Sequence, residues 1–176
     1  DHNRANVVTS REVLLEEPRD MSLIAAHPWE GYYTYAKGNG QSFHSKLQDA
    51  IAQADEQMGV VVDASLKAVW KRSKRLVCTP LALPENLDVS DMTQAYPEAV
   101  AYDLTGCELT QTLYYVSEGI PVVITLEDGS RRLLVGYDSA NVWIYNPDTK
   151  QISRETITAA QTQFGAHSSH YTAYLR

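Results

Sequence analysis

Between Pro121 and Pro147 the chain twice passes from a β-prone apolar run through a short polar turn into another such run. Pro121-Val-Val-Ile-Thr-Leu leads through Glu127-Asp-Gly-Ser into Arg131-Arg-Leu-Leu-Val-Gly-Tyr, and Asp138-Ser-Ala-Asn141 leads on into Val142-Trp-Ile-Tyr-Asn-Pro. Valine, isoleucine and aromatic residues suit a pleated, half-buried surface, and connections this short join antiparallel neighbours. The spacing predicts strands over 120–126, 132–137 and 142–146. A sheet of this kind needs an apolar layer packed on it.

Upstream, the period changes. Phe43, Leu47, Ala50, Ile51, Ala54 and Met58 share one face of a 3.6-residue repeat, which predicts a helix capped by Ser42 and stopped by a left-handed Gly59. Before it, Tyr32-Tyr-Thr-Tyr35 reads as β-prone, closed by the turn signal Gly38-Asn39-Gly40. After it, Val60-Val-Val62 reads as a short buried strand, and Asp63 as the cap of a second helix through Leu66, Val69 and Trp70 to about Arg75. From Val77 to Ala101 three prolines and no sustained period predict a long irregular connection, which is uncommon unless functional. A third helix is expected after a Thr105/Glu108 capping box, with Leu109, Leu113 and Val116 as its stripe and Gly119 as its stop. Thr156–Phe164 reads as a last helix and His170–Leu175 as a closing strand. The expectation is an α+β chain: an N-terminal arm over 1–30, then one domain over 31–176 with a helical half (about 41–118) and a sheet half (about 119–176).

A chain of 176 residues buries enough surface to fold without a metal or disulfide. Its 44% apolar and 21% charged residues are those of an ordinary globular protein. A net charge of −7 argues against nucleic acid or an anionic membrane as the main partner. No apolar run approaches the roughly 18 residues that a spanning helix needs. A start at Asp1, with neither methionine nor signal peptide, is what a processed piece of a longer protein would show. Cys78 and Cys107 leave both one disulfide and two free thiols open.

Few residues here carry chemistry. With Thr105 as N-cap, Cys107 would lie beside unpaired amides and the positive end of a helix, where a thiolate is stabilised. A nucleophilic cysteine needs a base, and His167 and His170, either side of Ser168-Ser169, are the histidines placed to supply one. A half-buried cysteine and a solvated histidine turn are the plainer readings. His2 is terminal, His27 precedes Pro28, and His44 falls in the first expected helix. No metal-binding, phosphate-binding or redox motif is present, so no cofactor and no metal are expected. Lys67, Lys71, Arg72, Lys74 and Arg75 form either a solvated helix face or a dock for an anionic partner. Eleven tyrosines can supply strand packing or a contact surface.

The order helix, Gly119, Ile120-Pro-Val-Val-Ile, turn, Leu-Leu-Val-Gly136-Tyr137-Asp138, Val-Trp-Ile-Tyr-Asn146-Pro147 resembles the C-terminal half of the bacteriocin-processing peptidases, members of the papain-like superfamily. There the hairpin reads Gly-x-Pro-Val, then His-x-Val-x-x-x-Gly-Tyr-Asp, then Asp-Pro or Asn-Pro. The resemblance covers about residues 103–150 and implies a papain-like α+β fold, with helices on a C-terminal antiparallel sheet. It also implies that the position of the catalytic histidine, six before Gly136, is Ser130. Arg132, farther along the same strand, is permanently protonated and cannot act as a base. Asn146 matches the residue that orients that histidine. The nucleophile would begin an earlier helix, where Asp63-Ala64-Ser65 holds no cysteine. The chain is also similar to uncharacterised domains of large Gram-positive cell-envelope proteins.

These features imply a papain-like domain without peptidase activity, a binding or scaffolding module of a larger extracellular or cell-surface bacterial protein. Its partners would be a peptide or protein ligand, cell-wall associated, and neighbouring domains of the same polypeptide. Tyr137, Trp143, Arg132 and Asn146 are the expected ligand-binding residues. One alternative is an active cysteine peptidase or hydrolase using Cys107 with His167 or His170 and Asn146. Another is a structural spacer.

Overall fold

A computed structural model describes residues 31–73, 75–85, 87–165 and 169–175. The expected arm over 1–30, together with His2, His27 and His167, lies outside the described residues. The fold is mixed α+β, with two antiparallel sheets. Its contacts divide the chain into two compact units, Asp1–Arg75 and Leu76–Arg176.

The first unit runs β1 (Tyr32–Ala36), β2 (Gly40–His44), α1 (Leu47–Gln57), β3 (Val60–Asp63) and β4 (Ala68–Lys71), in sheet order β2-β1-β3-β4. The turn signal is used as expected: Asn39 N–H donates to Ala36 O at 2.9 Å, with Gly38 at φ +82°. α1 is shorter than the apolar period suggested. Ser42 and Phe43 belong to β2, and Lys46 stands at the N-cap with no side-chain cap bond. Leu47, Ala50, Ile51 and Ala54 form the buried face of α1. Gln53 ties α1 to the sheet, bonding His44 Nε2 at 2.6 Å and Ser42 Oγ at 3.0 Å. Register puts Ser42 opposite Thr34, so α1 covers the Thr34 face. Tyr33, Tyr35, Val60 and Val62 gather on the other face with Phe43, Leu66 and Ala68.

Two stops differ from expectation. Met58, not Gly59, takes the left-handed conformation at the end of α1 (φ +58°). Gly59 is required for another reason, because a Cβ there would lie 2.3 Å from Tyr35 O. The helix expected from Asp63 to Arg75 is absent. Asp63 Oδ1 instead accepts the amides of Ser65 (2.9 Å) and Lys67 (3.0 Å), turning the chain back into β4. The spacing of Leu66, Val69 and Trp70 fits a helix stripe or a bulged strand equally well, and the β-branched and aromatic residues favour the strand. The described part of the basic run is therefore not one solvated helix face: Lys71 is buried in β4, Arg72 pairs with Asp55 at 3.4 Å, and Lys74 lies outside the described residues.

The second unit holds β5 (Val100–Asp103), a 3-10 turn (Leu109–Thr112), α2 (Leu113–Ser117), β6 (Val122–Leu126), β7 (Arg131–Tyr137), β8 (Asn141–Asn146), β9 (Gln151–Thr156), α3 (Ile157–Gln163) and β10 (Ser169–Leu175). Sheet order is β5-β10-β6-β7-β8-β9, antiparallel throughout. The expected meander, last helix and closing strand are all present. Gly119 ends α2 at φ +84°, and Ile120 N–H reaches back to Tyr115 O at 2.9 Å. The capping box is Glu108 with Gln111, three residues later than Thr105 with Glu108, because Thr105 N–H is taken by Asp103 Oδ1 at 2.9 Å.

Among the described residues, the long connection after Val77 has no helix or strand of its own before β5, apart from a bridge between Cys78 and Tyr137. It is nonetheless packed. Leu81, Leu83, Leu87, Val89, Met92 and Tyr96 cover one face of the sheet, on Val123, Leu133, Val135, Trp143 and Tyr145. Tyr171 points to the opposite face and donates a hydrogen bond to Phe164 O at the end of α3, which places α3 there. The sheet is thus sandwiched between an irregular apolar layer and helices. Layers of this kind satisfy a two-faced sheet whether or not the covering chain is regular.

Candidate functional site

Three turns meet at one end of the β6–β7–β8–β9 meander. In the β6–β7 turn Asp128 Oδ1 accepts Ser130 N–H at 2.9 Å and Ser130 Oγ–H at 2.5 Å. In the β8–β9 turn Asn146 Oδ1 accepts Asp148 N–H at 2.9 Å, and Lys150 N–H donates to Asn146 O at 2.7 Å. In the long connection Asp88 Oδ1 accepts the amide (2.9 Å) and hydroxyl (2.5 Å) of Ser90. Between them lies an open groove of about 500 Å³, with residues 87–90 on one side and Gly129, Arg131, Pro147 and Asp148 on the other. Arg131 Nη1 spans part of it to Val89 O at 3.4 Å.

The groove carries two carboxylates and one guanidinium. Hydrogen bonds from Ser90 hold the Asp88 carboxyl below the ordinary aspartate range, and the charge of Arg131 adds to this. The hydroxyl of Ser130 does the same for Asp128. The Asp88 and Asp148 carboxylates and the Arg131 guanidinium offer the groove charges of both signs.

Ser130 and Asn146, the positions matched to the catalytic histidine and its orienting partner, adjoin the groove in sequence, next to Arg131 and Pro147. Both side chains are committed to their own turns. Arg132 and Asn146 stand one register step beyond the Leu133–Tyr145 pair. Tyr137 and Trp143 belong to the other end of the same hairpin, where Tyr137 faces Val142 and Gly136 faces Trp143. Five residue steps along the strand separate Arg132 from Tyr137, about 16 Å at roughly 3.3 Å per step. The structure therefore does not bring these four expected ligand residues together.

Their surroundings differ too. Arg132 Nη1 donates to Arg131 O at 2.8 Å. Trp143 packs on the Val89–Met92 cluster. Tyr137 is buried, and its backbone exchanges hydrogen bonds of 2.7 and 2.9 Å with Cys78. Gly136 lets that segment approach, since a Cβ there would lie 2.9 Å from Cys78 O. Asp138 Oδ1 anchors the next turn through the amides of Ala140 (2.8 Å) and Asn141 (2.7 Å), which hold its carboxyl below the ordinary range. Gly-Tyr-Asp acts here as a structural unit.

Cys107 does not sit at a helix N-terminus. It closes a turn through its amide to Leu104 O (3.0 Å), ahead of the 3-10 turn, and is 2% exposed. It lies near Tyr171, whose phenol burial pushes up to about 12, with Cys107 adding to the shift. His170 precedes Tyr171 in β10 and so faces the other way; it is exposed, and its Nδ1 lies 3.1 Å from Thr105 Oγ1. Cys78 and Cys107 are not joined in a disulfide. Among the described residues no group of three or more histidine, cysteine or acidic side chains could hold a metal.

Asp88, Arg131 and Asp148 were not singled out from sequence. The signal was the spacing Asp88-x-Ser90, repeated in Asp91-x-Thr93 and Asp128-x-Ser130, but that pattern marks turns anywhere on a surface. No family model, no curated protein and no solved structure matches the chain.

Proposed function

We propose that this chain is a non-catalytic papain-like domain, related in its sheet half to the bacteriocin-processing peptidases. It acts as a binding or scaffolding module of a larger extracellular or cell-surface bacterial protein. The observation that carries this reading is the groove at the β6–β7 and β8–β9 turns, which adjoins Ser130 and Asn146, the positions where the resemblance would put the catalytic histidine and its partner. Both positions here serve turn hydrogen bonds, so a concave surface is kept where the family does chemistry. With two carboxylates and Arg131, the groove suits an extended peptide with charged groups of both signs.

The test is binding of the full chain to an arrayed library of unmodified linear peptides and to soluble cell-wall muropeptides. Selective binding weakened by Arg131→Ala and by Asp148→Ala supports the module. A chain that binds neither probe set leaves the structural spacer as the better reading, whereas binding of the same affinity in both variants overturns the placement of the ligand in this groove.

A further inference from the structure

We propose that Asn39 is a self-modification site, converting through a cyclic imide to aspartate and isoaspartate. Asn39 is exposed in the β1–β2 turn and is followed by Gly40. Its side-chain amide makes one long contact, Nδ2 to Lys37 O at 3.5 Å, at the limit of a hydrogen bond. A Cβ built on Gly38 or Gly40 would meet no atom within 4 Å, so nothing walls in the turn on either side of Asn39. The missing side chain at Gly40 also removes the main obstacle to its nitrogen approaching the asparagine carbonyl.

The step balances within the chain and water. The Gly40 nitrogen attacks Asn39 Cγ, forming a new C–N bond and closing a five-membered ring. The Cγ–Nδ2 bond breaks, and ammonia leaves with the proton given up by the Gly40 amide. Water then opens the ring at either carbonyl. One opening restores the original backbone with aspartate, and the other routes the backbone through Cγ as isoaspartate. The net change exchanges an NH2 group for OH, and nothing is oxidised or reduced.

The other described asparagines are built to resist this. Asn141 Nδ2 donates to both oxygens of Asp138 (3.2 and 3.3 Å), and the β-branched Val142 follows it within β8. Asn146 Oδ1 accepts Asp148 N–H at 2.9 Å, and the following Pro147 has no N–H to give up. The protein thus carries two internal controls for Asn39.

The full chain is incubated at mildly alkaline pH and followed by peptide-level mass spectrometry, with isoaspartate measured by enzymatic methyl transfer. The expected result is that the peptide containing Asn39 gains the mass of the NH2-to-OH exchange at least an order of magnitude faster than those containing Asn141 or Asn146. It gains methyl acceptance in step, and Asn39→Gln removes both from that peptide. Conversion at Asn39 no faster than at Asn141 or Asn146 overturns the proposal. A mass gain in the Asn39 peptide that persists in Asn39→Gln overturns it as well.

Discussion

Two glycines are fixed by what lies against them rather than by their own dihedral angles. At Gly136 an added Cβ would come within 3.0 Å of both Cys78 O and Pro80 Cα, and at Gly59 within 2.3 Å of Tyr35 O. Backbone atoms cannot swing aside as a side chain can, so Gly136→Ala is expected to cost about 1–3 kcal/mol, with Gly59→Ala toward or beyond the upper end. Denaturant unfolding of each variant checks both. The Gly-Tyr-Asp signature was legible in sequence, but its meaning was not. It marked a hairpin correctly, while the need for glycine comes from Cys78–Pro80, some 56–58 residues earlier, which no local pattern discloses. Cys107 shows the same limit. Its expected place at a helix N-terminus followed from Thr105 as a helix cap, and the backbone of Thr105 is claimed by Asp103 instead.

Short elements depend on their ends. α3 has seven residues, and its Thr156 N-cap accepts Ala159 N–H at 3.1 Å. Thr156→Ala is expected to destabilise by about 1 kcal/mol, read as a lower denaturation midpoint with an unchanged slope. β9 is the contrasting case. It is an edge strand whose side chains are almost all exposed, whereas β6 and β7 are flanked on both sides. Among β6–β9, hydrogen exchange is expected to be fastest in β9 and slowest in the centre of β6 and β7. Equal protection across β6–β9 would contradict that ordering. The apolar strands and Gly119 could be read from sequence because burial writes a period of two or a stop into the chain. Gln151-Ile-Ser-Arg-Glu-Thr156 is wet on both faces and writes no such period. β4 was hidden differently, because Val69 and Trp70 satisfy helix and strand templates alike.

For the molecule as a whole, turn aspartates contribute to the loss of stability in acid. The carboxyls of Asp88, Asp128 and Asp138 are all held below the ordinary range. A depressed folded-state pKa contributes stability that is present above the unfolded value of about 3.9 and is lost as pH falls through the folded value. The urea midpoint is therefore expected to fall below about pH 4, and Asp138→Asn should flatten part of that limb by lowering stability at neutral pH more than in acid. Thiol labelling tests the function at the same scale. Half-buried Cys78 is expected to react with iodoacetamide before buried Cys107. Fast alkylation of Cys107 below neutral pH would instead favour the cysteine-hydrolase alternative. The candidate groove was the least legible part of the chain, because its walls come from three segments that are remote in sequence and individually ordinary.

The order β5-β10-β6 also bears on how the second unit is made. β5 has no strand partner until β10 arrives, and Thr105 and His170 at their junction are 65 residues apart. Hairpins β6–β7, β7–β8 and β8–β9 can close locally as they emerge, but the strand that belongs between β5 and β6 is synthesised after all of them. A nascent chain must keep the edges of β5 and β6 apart from each other and from neighbouring chains until then. Loop closure of that length slows folding, so aggregation during synthesis, more than instability afterwards, is the hazard this topology carries.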